Sequence, residues 1–305
     1  MKSNDRASTD TSHGSYIMMT FAALFWAGNF IAGKYGLIEL DPVLLTTLRM
    51  FLAFIILLPP YIIQVGHRFI PKISDLFIFT FAGLSGAIAY NLFLYNALRF
   101  TSVTKASMIA ALIPILTAVM AHALHLESLS KKKYIYIFFA LFGVLLTISD
   151  WNLSTLCAEP INTGDFLMFG SVFSWATYTI IIKHYGMRYT YLTLSLFTFL
   201  SAWIILIPFA IQSALNISWN NIGFSSWVSV LYMAIFPTIL SYGFQQRSLR
   251  IIGPSKTNLF INLVPLFSMM LSVLFLHEKF NLLNIYSWAI IIVSVILFTQ
   301  KHSSK

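Results

Sequence analysis

The chain is expected to be an all-α polytopic membrane protein, with ten transmembrane helices arranged as two inverted five-helix repeats. Three observations predict this. Of its 305 residues 58% are hydrophobic and 10% charged, with mean hydropathy +0.80, against roughly 25% charged in a soluble domain. The apolar runs are long and continuous, approaching the roughly 20 residues that a bilayer-spanning helix needs, where a membrane barrel would show alternating segments of about 10. Finally, the chain repeats itself. A shift of 151 positions carries Arg99 onto Arg250, Lys105 onto Lys256, Pro114 onto Pro265 and Glu127 onto Glu278, with Leu98/Leu249 and Leu112/Leu263 also matched. A shift of 149 carries Trp26-Ala27 onto Trp175-Ala176, Lys34 onto Lys183 and the run ending at Pro59 onto the run ending at Pro208.

Taken in order, residues 1–15 are polar and predict a disordered cytoplasmic tail. They are not a signal peptide, because the apolar run that follows is too long and no small-residue cleavage pattern closes it. The first repeat, 16–150, holds spans at 16–37, 43–65, 75–97, 103–124 and 134–150. Arg68 and Lys72 separate its second and third spans, and Lys131 to Lys133 its fourth and fifth. Residues 151–163 carry Glu159 and Pro160 but no Lys or Arg, and read as the linker between repeats. The second repeat, 164–300, holds spans at 164–184, 190–213, 225–246, 255–276 and 284–300, and 301–305 form a C-terminal tail.

The formal net charge of +9 does not signal nucleic acid, since the basic residues sit in short connections and at span ends. With the N-terminus inside, the outer loops collect only Arg99, Lys105 and Lys279, so both termini are expected in the cytoplasm. The lone Cys157 permits no internal disulfide. No carboxylate cluster, metal-ligand set or nucleophile with a base is found, so neither an enzyme nor a cofactor or metal is expected. Because each repeat has an odd number of spans, the second enters the membrane from the opposite side. That geometry is the one from which secondary transporters build alternating access.

At Phe25-Trp-Ala-Gly-Asn29 with Lys34, at Leu48-Arg49, and in the blocks running from Ala97-Leu-Arg99 through Pro114 to Glu127 and from Ser248-Leu-Arg250 through Pro265 to Glu278, the chain resembles the EamA family of the drug/metabolite transporter superfamily. The likeness covers nearly the whole chain. It implies a ten-helix carrier of small metabolites, often an exporter of amino acids or related compounds, with a central cavity lined by spans 1, 3, 4, 6, 8 and 9.

The candidate substrate-binding residues are Trp26, Asn29, Tyr90, Asn91, Trp175, Tyr178, Tyr242, Gln245, Asn258 and Asn262. They sit on the spans rich in polar groups, while spans 5 and 10 are nearly bare and face lipid or a packing partner. Asn258 and Asn262 are spaced i, i+4, so both amides share a helix face. Each polar group serves either a ligand or an interhelical hydrogen bond. Trp26 and Trp175 lie too deep for an interfacial belt and form either a cavity wall or a helix contact.

Candidate gating or charged residues are Lys34, Arg49, Pro114 and Pro265. The prolines each remove a backbone bond in mid-span and produce either a kink beside the substrate path or a packing bend. Pro237 invites the same argument with less support, because it has no repeat partner. Lys34 and Arg49 either snorkel to the outer surface or attract an anion at the outer gate, and Arg49 is asymmetric, having Thr198 as its counterpart. Glu127 and Glu278 are expected in end-of-helix ion pairs, next to Lys131 to Lys133 and Lys279.

The function expected is therefore a secondary transporter exporting or facilitating amino acids or related amphipathic compounds. The alternatives are a carrier of anionic metabolites, phosphorylated or nucleotide-like, that uses Arg49 and Lys34, and more remotely an intramembrane transferase. No Asp or Glu lies at mid-span, which favours facilitated movement over proton drive. The expected partners are a small-molecule substrate and the lipid bilayer, with no nucleic acid, in a monomer or homodimer in the bacterial inner membrane.

Overall fold

The computed structural model describes residues 2–66, 71–126, 130–153, 162–279 and 281–299, and among these every regular element is helical. Ten apolar helices follow one another: α1 (Lys2–Gly36), α2 (Pro42–Gln64), α3 (Ile73–Ala97), α4 (Val103–Ala123), α5 (Lys131–Ile148), α6 (Thr163–Tyr185), α7 (Tyr191–Asn216), α8 (224–261), α9 (Leu263–Leu276) and α10 (Leu282–Thr299). Phe77, Phe138, Phe209 and Leu274 are all exposed. Water would tolerate such a surface poorly, whereas lipid tails are its natural surroundings.

Helix starts follow local chemistry. The Asp41 carboxylate accepts from the amides of Val43 and Leu44, and Pro42 occupies the first turn of α2, where its missing N–H is not needed. Asn162 caps α6 through the Gly164 amide at 2.7 Å. The N-terminal amides of α4 are satisfied partly from elsewhere: Ser102 takes Lys105, while Glu278 takes Val103 at 2.8 Å and Thr104 at 3.3 Å.

The chain forms two compact units. One comprises Met1–Ile31, Ser102–Ile161 and Leu240–Lys305. Within it α5 packs on α10, where a Cβ at Gly143 would come within 2.7 Å of Ile291, so the bare spans take each other as packing partners. There α4 also meets α9, with Thr104 and Ser272 hydroxyls 3.2 Å apart, and α1 meets the second part of α8 through Phe25 and Phe244.

The other unit comprises Ala32–Thr101 and Asn162–Ile239. In it α2 packs on α7 through buried Ala53, Leu57, Ala202 and Leu206, with Trp203 against Phe51 and Phe54. The same unit pairs α3 with α6, where the Ser171 hydroxyl donates to the Tyr90 carbonyl at 3.0 Å. Exchanging the repeats maps α2–α7, α4–α9 and α5–α10 onto themselves and α1–α8 onto α6–α3, as two copies of one five-helix unit require.

Two features depart from the expected spans. The interruption expected between 246 and 255 is absent: α8 runs on to Ile261 and the chain breaks at Asn262. The cause is Pro265, whose ring clashes with the carbonyl four residues back, at Ile261. Pro114 acts identically in α4, where the first helical segment ends at Ala110 and the second begins at Ile113. At the N-terminus, helix extends back to Lys2 across the segment expected as a tail. It contains no proline to interrupt the backbone ladder. Most of the linker expected at 151–163, and Glu127, fall outside the described residues.

Candidate functional site

Helices α3 and α8 each contain a π-helical stretch, Gly83–Ala89 and Ala234–Leu240, separated by the same shift of 151 that relates the repeats. Such wide turns perturb the regular ladder and often occur where function needs it. The middle position is Gly86 in one repeat and Pro237 in the other. Pro237 therefore does have a repeat partner, in the form of a second helix-weakening residue. In α8 the Thr238 hydroxyl donates to the Met233 carbonyl, five residues back, at 2.6 Å.

In the unit containing both stretches, two side-chain clusters gather on them. The first is aromatic. Trp175 lies between Tyr90 and Tyr178, with ring centroids 4.6 and 5.2 Å away. The Tyr178 ring lies directly over Gly86, where any Cβ would overlap it. Tyr191 on α7 donates its hydroxyl to the Ile239 carbonyl near the end of the second stretch.

The second cluster centres on Arg49, which is 4% exposed. Its Nε donates to the Thr238 hydroxyl at 2.7 Å, and its Nη1 donates to Asn91 Oδ1 at 2.8 Å and to Tyr95 Oη at 2.5 Å. The Asn91 amide donates to the Ala87 carbonyl at 2.7 Å, and Tyr95 to Met233 Sδ at 3.1 Å. Arg49 therefore does not snorkel. It turns inward because hydroxyls and an amide on α3 and α8 supply the polar partners that lipid lacks. Its counterpart Thr198 is buried with an Oγ1 that has no partner among the described residues.

In the other unit Trp26 and Tyr242 meet edge to face at 6.5 Å. Asn29 and Asn262 are each 3% exposed, while Gln245 is half-buried. The side chain of Asn258 is outside the described residues. Pro114 and Pro265 lie in the first turn of helical segments that begin at Ile113 and Leu263, just after the breaks.

At the helix ends, Lys34 Nζ donates to the Thr101 carbonyl at 3.0 Å, and the Thr101 hydroxyl to Asp165 at 2.6 Å. Lys105 pairs with Asp150 at 2.7 Å. Glu278 departs from the expected ion pair, because its carboxylate is spent on the amides of Val103 and Thr104 and on the Thr104 hydroxyl at 2.9 Å. A left-handed His277, φ 53°, turns the chain so that Glu278 leaves the helix axis. In the connection after α6, Tyr189 donates to Asp75 at 2.7 Å. Burial and that bond together push its phenol up to about 12.

The structure thus brings together Tyr90, Trp175 and Tyr178, joins Asn91 to Arg49, and joins Trp26 to Tyr242. Thr238, Gly86 and the capping role of Glu278 were missed. The signal that could have found the first two was positional, since Gly86 and Pro237 occupy one repeat position.

The model of the EamA-like transporter family matches residues 13–149 and again 162–300. Over 257 residues, 84% of each chain, the sequence is 28% identical to an uncharacterized transporter, YyaM, of Bacillus subtilis (strain 168). It is 28% identical over 289 residues to an uncharacterized transporter of Archaeoglobus fulgidus, covering 94% of this chain and 98% of the other. A protein of Escherichia coli (strain K12) named "Probable amino-acid metabolite efflux pump" is 28% identical over 236 residues, 74% of this chain and 75% of its own. One solved crystal structure superposes with a TM-score of 0.65 at 17% identity, covering 94% of this chain and 98% of the other, which shows a shared fold.

Proposed function

Since the chain belongs to the EamA-like transporter family, we propose that it is a secondary carrier exporting amino acids or related amphipathic metabolites by alternating access of its two inverted repeats. The observation that carries the reading is the aromatic surface of Tyr90, Trp175 and Tyr178 laid on a π-helical stretch. Aromatic faces take the apolar part of an amphipathic solute without demanding one fixed shape. The wide turns of α3 and α8 and the proline breaks of α4 and α9 supply points at which helices bend while the rest stays rigid.

The solute leaves chemically unchanged and moves down its own gradient. Arg49 holds helices together rather than binding an anion, because Thr238, Asn91 and Tyr95 already draw on its donors. The charge bias supports cytoplasmic termini, and the bacterial relatives support a cytoplasmic membrane. The test is uptake of labelled amino acids, nucleobases and sugar phosphates into proteoliposomes, with and without an imposed pH gradient. Amino acids should equilibrate regardless of pH. If no member of the set moves, or sugar phosphates alone do, the reading is wrong.

A further inference from the structure

Where Pro265 breaks the chain, the residue between the two helices is Asn262. The residue is 3% exposed, and neither its Nδ2 nor its Oδ1 has a hydrogen-bond partner among the described residues. A buried carboxamide with every polar atom unmet is destabilising, and native proteins keep few of them without a reason. The local backbone adds to the demand. Pro265 has no N–H to give the Ile261 carbonyl, so a second acceptor adjoins the amide. The equivalent position in the first repeat is Ala111, so of the two proline breaks only one bears a polar side chain.

We propose that Asn262 is the polar anchor of the transported solute. This rests on the carrier reading above and names what that solute must display. A carboxamide offers two donors on Nδ2 and an acceptor on Oδ1, a few ångströms apart and coplanar. Its complement is a solute with an acceptor and a donor side by side. The carboxylate and ammonium of an α-amino acid meet this, with the carboxylate accepting from Nδ2 and the ammonium donating to Oδ1. A simple amine or a simple carboxylic acid satisfies only one half and leaves the other buried and unmet, a mismatch that discriminates strongly.

The experiment uses the full chain in proteoliposomes with leucine, isopentylamine (its decarboxylated analogue) and 4-methylpentanoate (its deaminated analogue), comparing wild type with Asn262→Leu and Asn262→Asp. The first substitution should raise the leucine KM roughly tenfold or more, and the second should shift preference from leucine towards the amine, because a carboxylate repels the carboxyl end of leucine. Thermal unfolding without substrate separates anchor from packing: Asn262→Leu should melt at or above the wild-type temperature. Wild-type leucine transport with an unchanged KM in Asn262→Leu would overturn the assignment alone, as would a lowered melting temperature in that variant. Failure of wild type to move leucine or any other amino acid would overturn both the assignment and the carrier reading beneath it.

Discussion

Arg49 on α2 donates its Nε–H to the Thr238 hydroxyl at 2.7 Å, and Thr238 donates its own O–H to the Met233 carbonyl at 2.6 Å, so one guanidinium pins the wide turn of α8. Hydrogen bonds from a charged donor are worth about 1.5–3 kcal/mol each. Lysine, a point charge on a flexible stem, cannot reproduce the planar fork. Arg49→Lys should therefore lower stability by roughly 2–4 kcal/mol, read as thermal unfolding in detergent. Thr238→Val should cost about 1–2 kcal/mol. If the two substitutions add without coupling in a double-mutant cycle, the link is not the one that matters.

Glu278 lies 175 residues from Val103 and caps α4 all the same. Removing it strands two amides and takes away a negative charge placed where the helix dipole favours one. Glu278→Ala should cost about 1–2 kcal/mol, with Glu278→Gln losing less. Hydrogen exchange at the Val103 and Thr104 amides should speed up, and unchanged protection would refute the capping role.

Gly86 lies beneath the Tyr178 ring with no room for a Cβ. Gly86→Ala should destabilise by about 1–3 kcal/mol through overpacking. The cost should shrink in a Tyr178→Ala background, since the clashing ring is gone. Equal costs in both backgrounds would place the fault in the backbone instead.

Pro114 and Pro265 end helical segments at Ala110 and Ile261. Replacing either by alanine restores the missing N–H and a better helix former, worth up to about 3 kcal/mol locally. Stability should hold or rise while the transport rate falls. Proteoliposome uptake at wild-type speed in both variants would remove the prolines from the mechanism.

The Tyr189 phenol, held up to about 12 by burial and its bond to Asp75, favours the folded protein in its neutral form. That contribution is complete below the unfolded value of 10.0 and disappears as pH rises through about 12. Tyr189→Phe should melt lower than wild type at neutral pH. The gap should close between pH 10 and 12, and a gap that persists there would assign the difference to packing.

Much of the fold was legible because it is written in composition and in spacing. Apolar runs announce the spans, and Arg99, Pro114 and their copies Arg250 and Pro265 announce the duplication. The break before Pro265 was misplaced into a loop because the sequence 247–254 carries two arginines and a Gly-Pro pair, which is the usual mark of a connection. The backbone there stays helical, and proline sterics four residues upstream of Pro265 decide the break.

By itself, the sequence determined the membrane class, the ten apolar segments and their duplication, since each depends on residue type and periodicity along the chain. Only the tertiary structure decided what the polar groups do. Arg49 finds Asn91, Tyr95 and Thr238 at separations of 42, 46 and 189 residues, Glu278 finds the start of α4, and Asn262 finds no partner at all among the described residues. Such pairings follow from which helices become neighbours when their small and aromatic residues pack, and no local pattern encodes them.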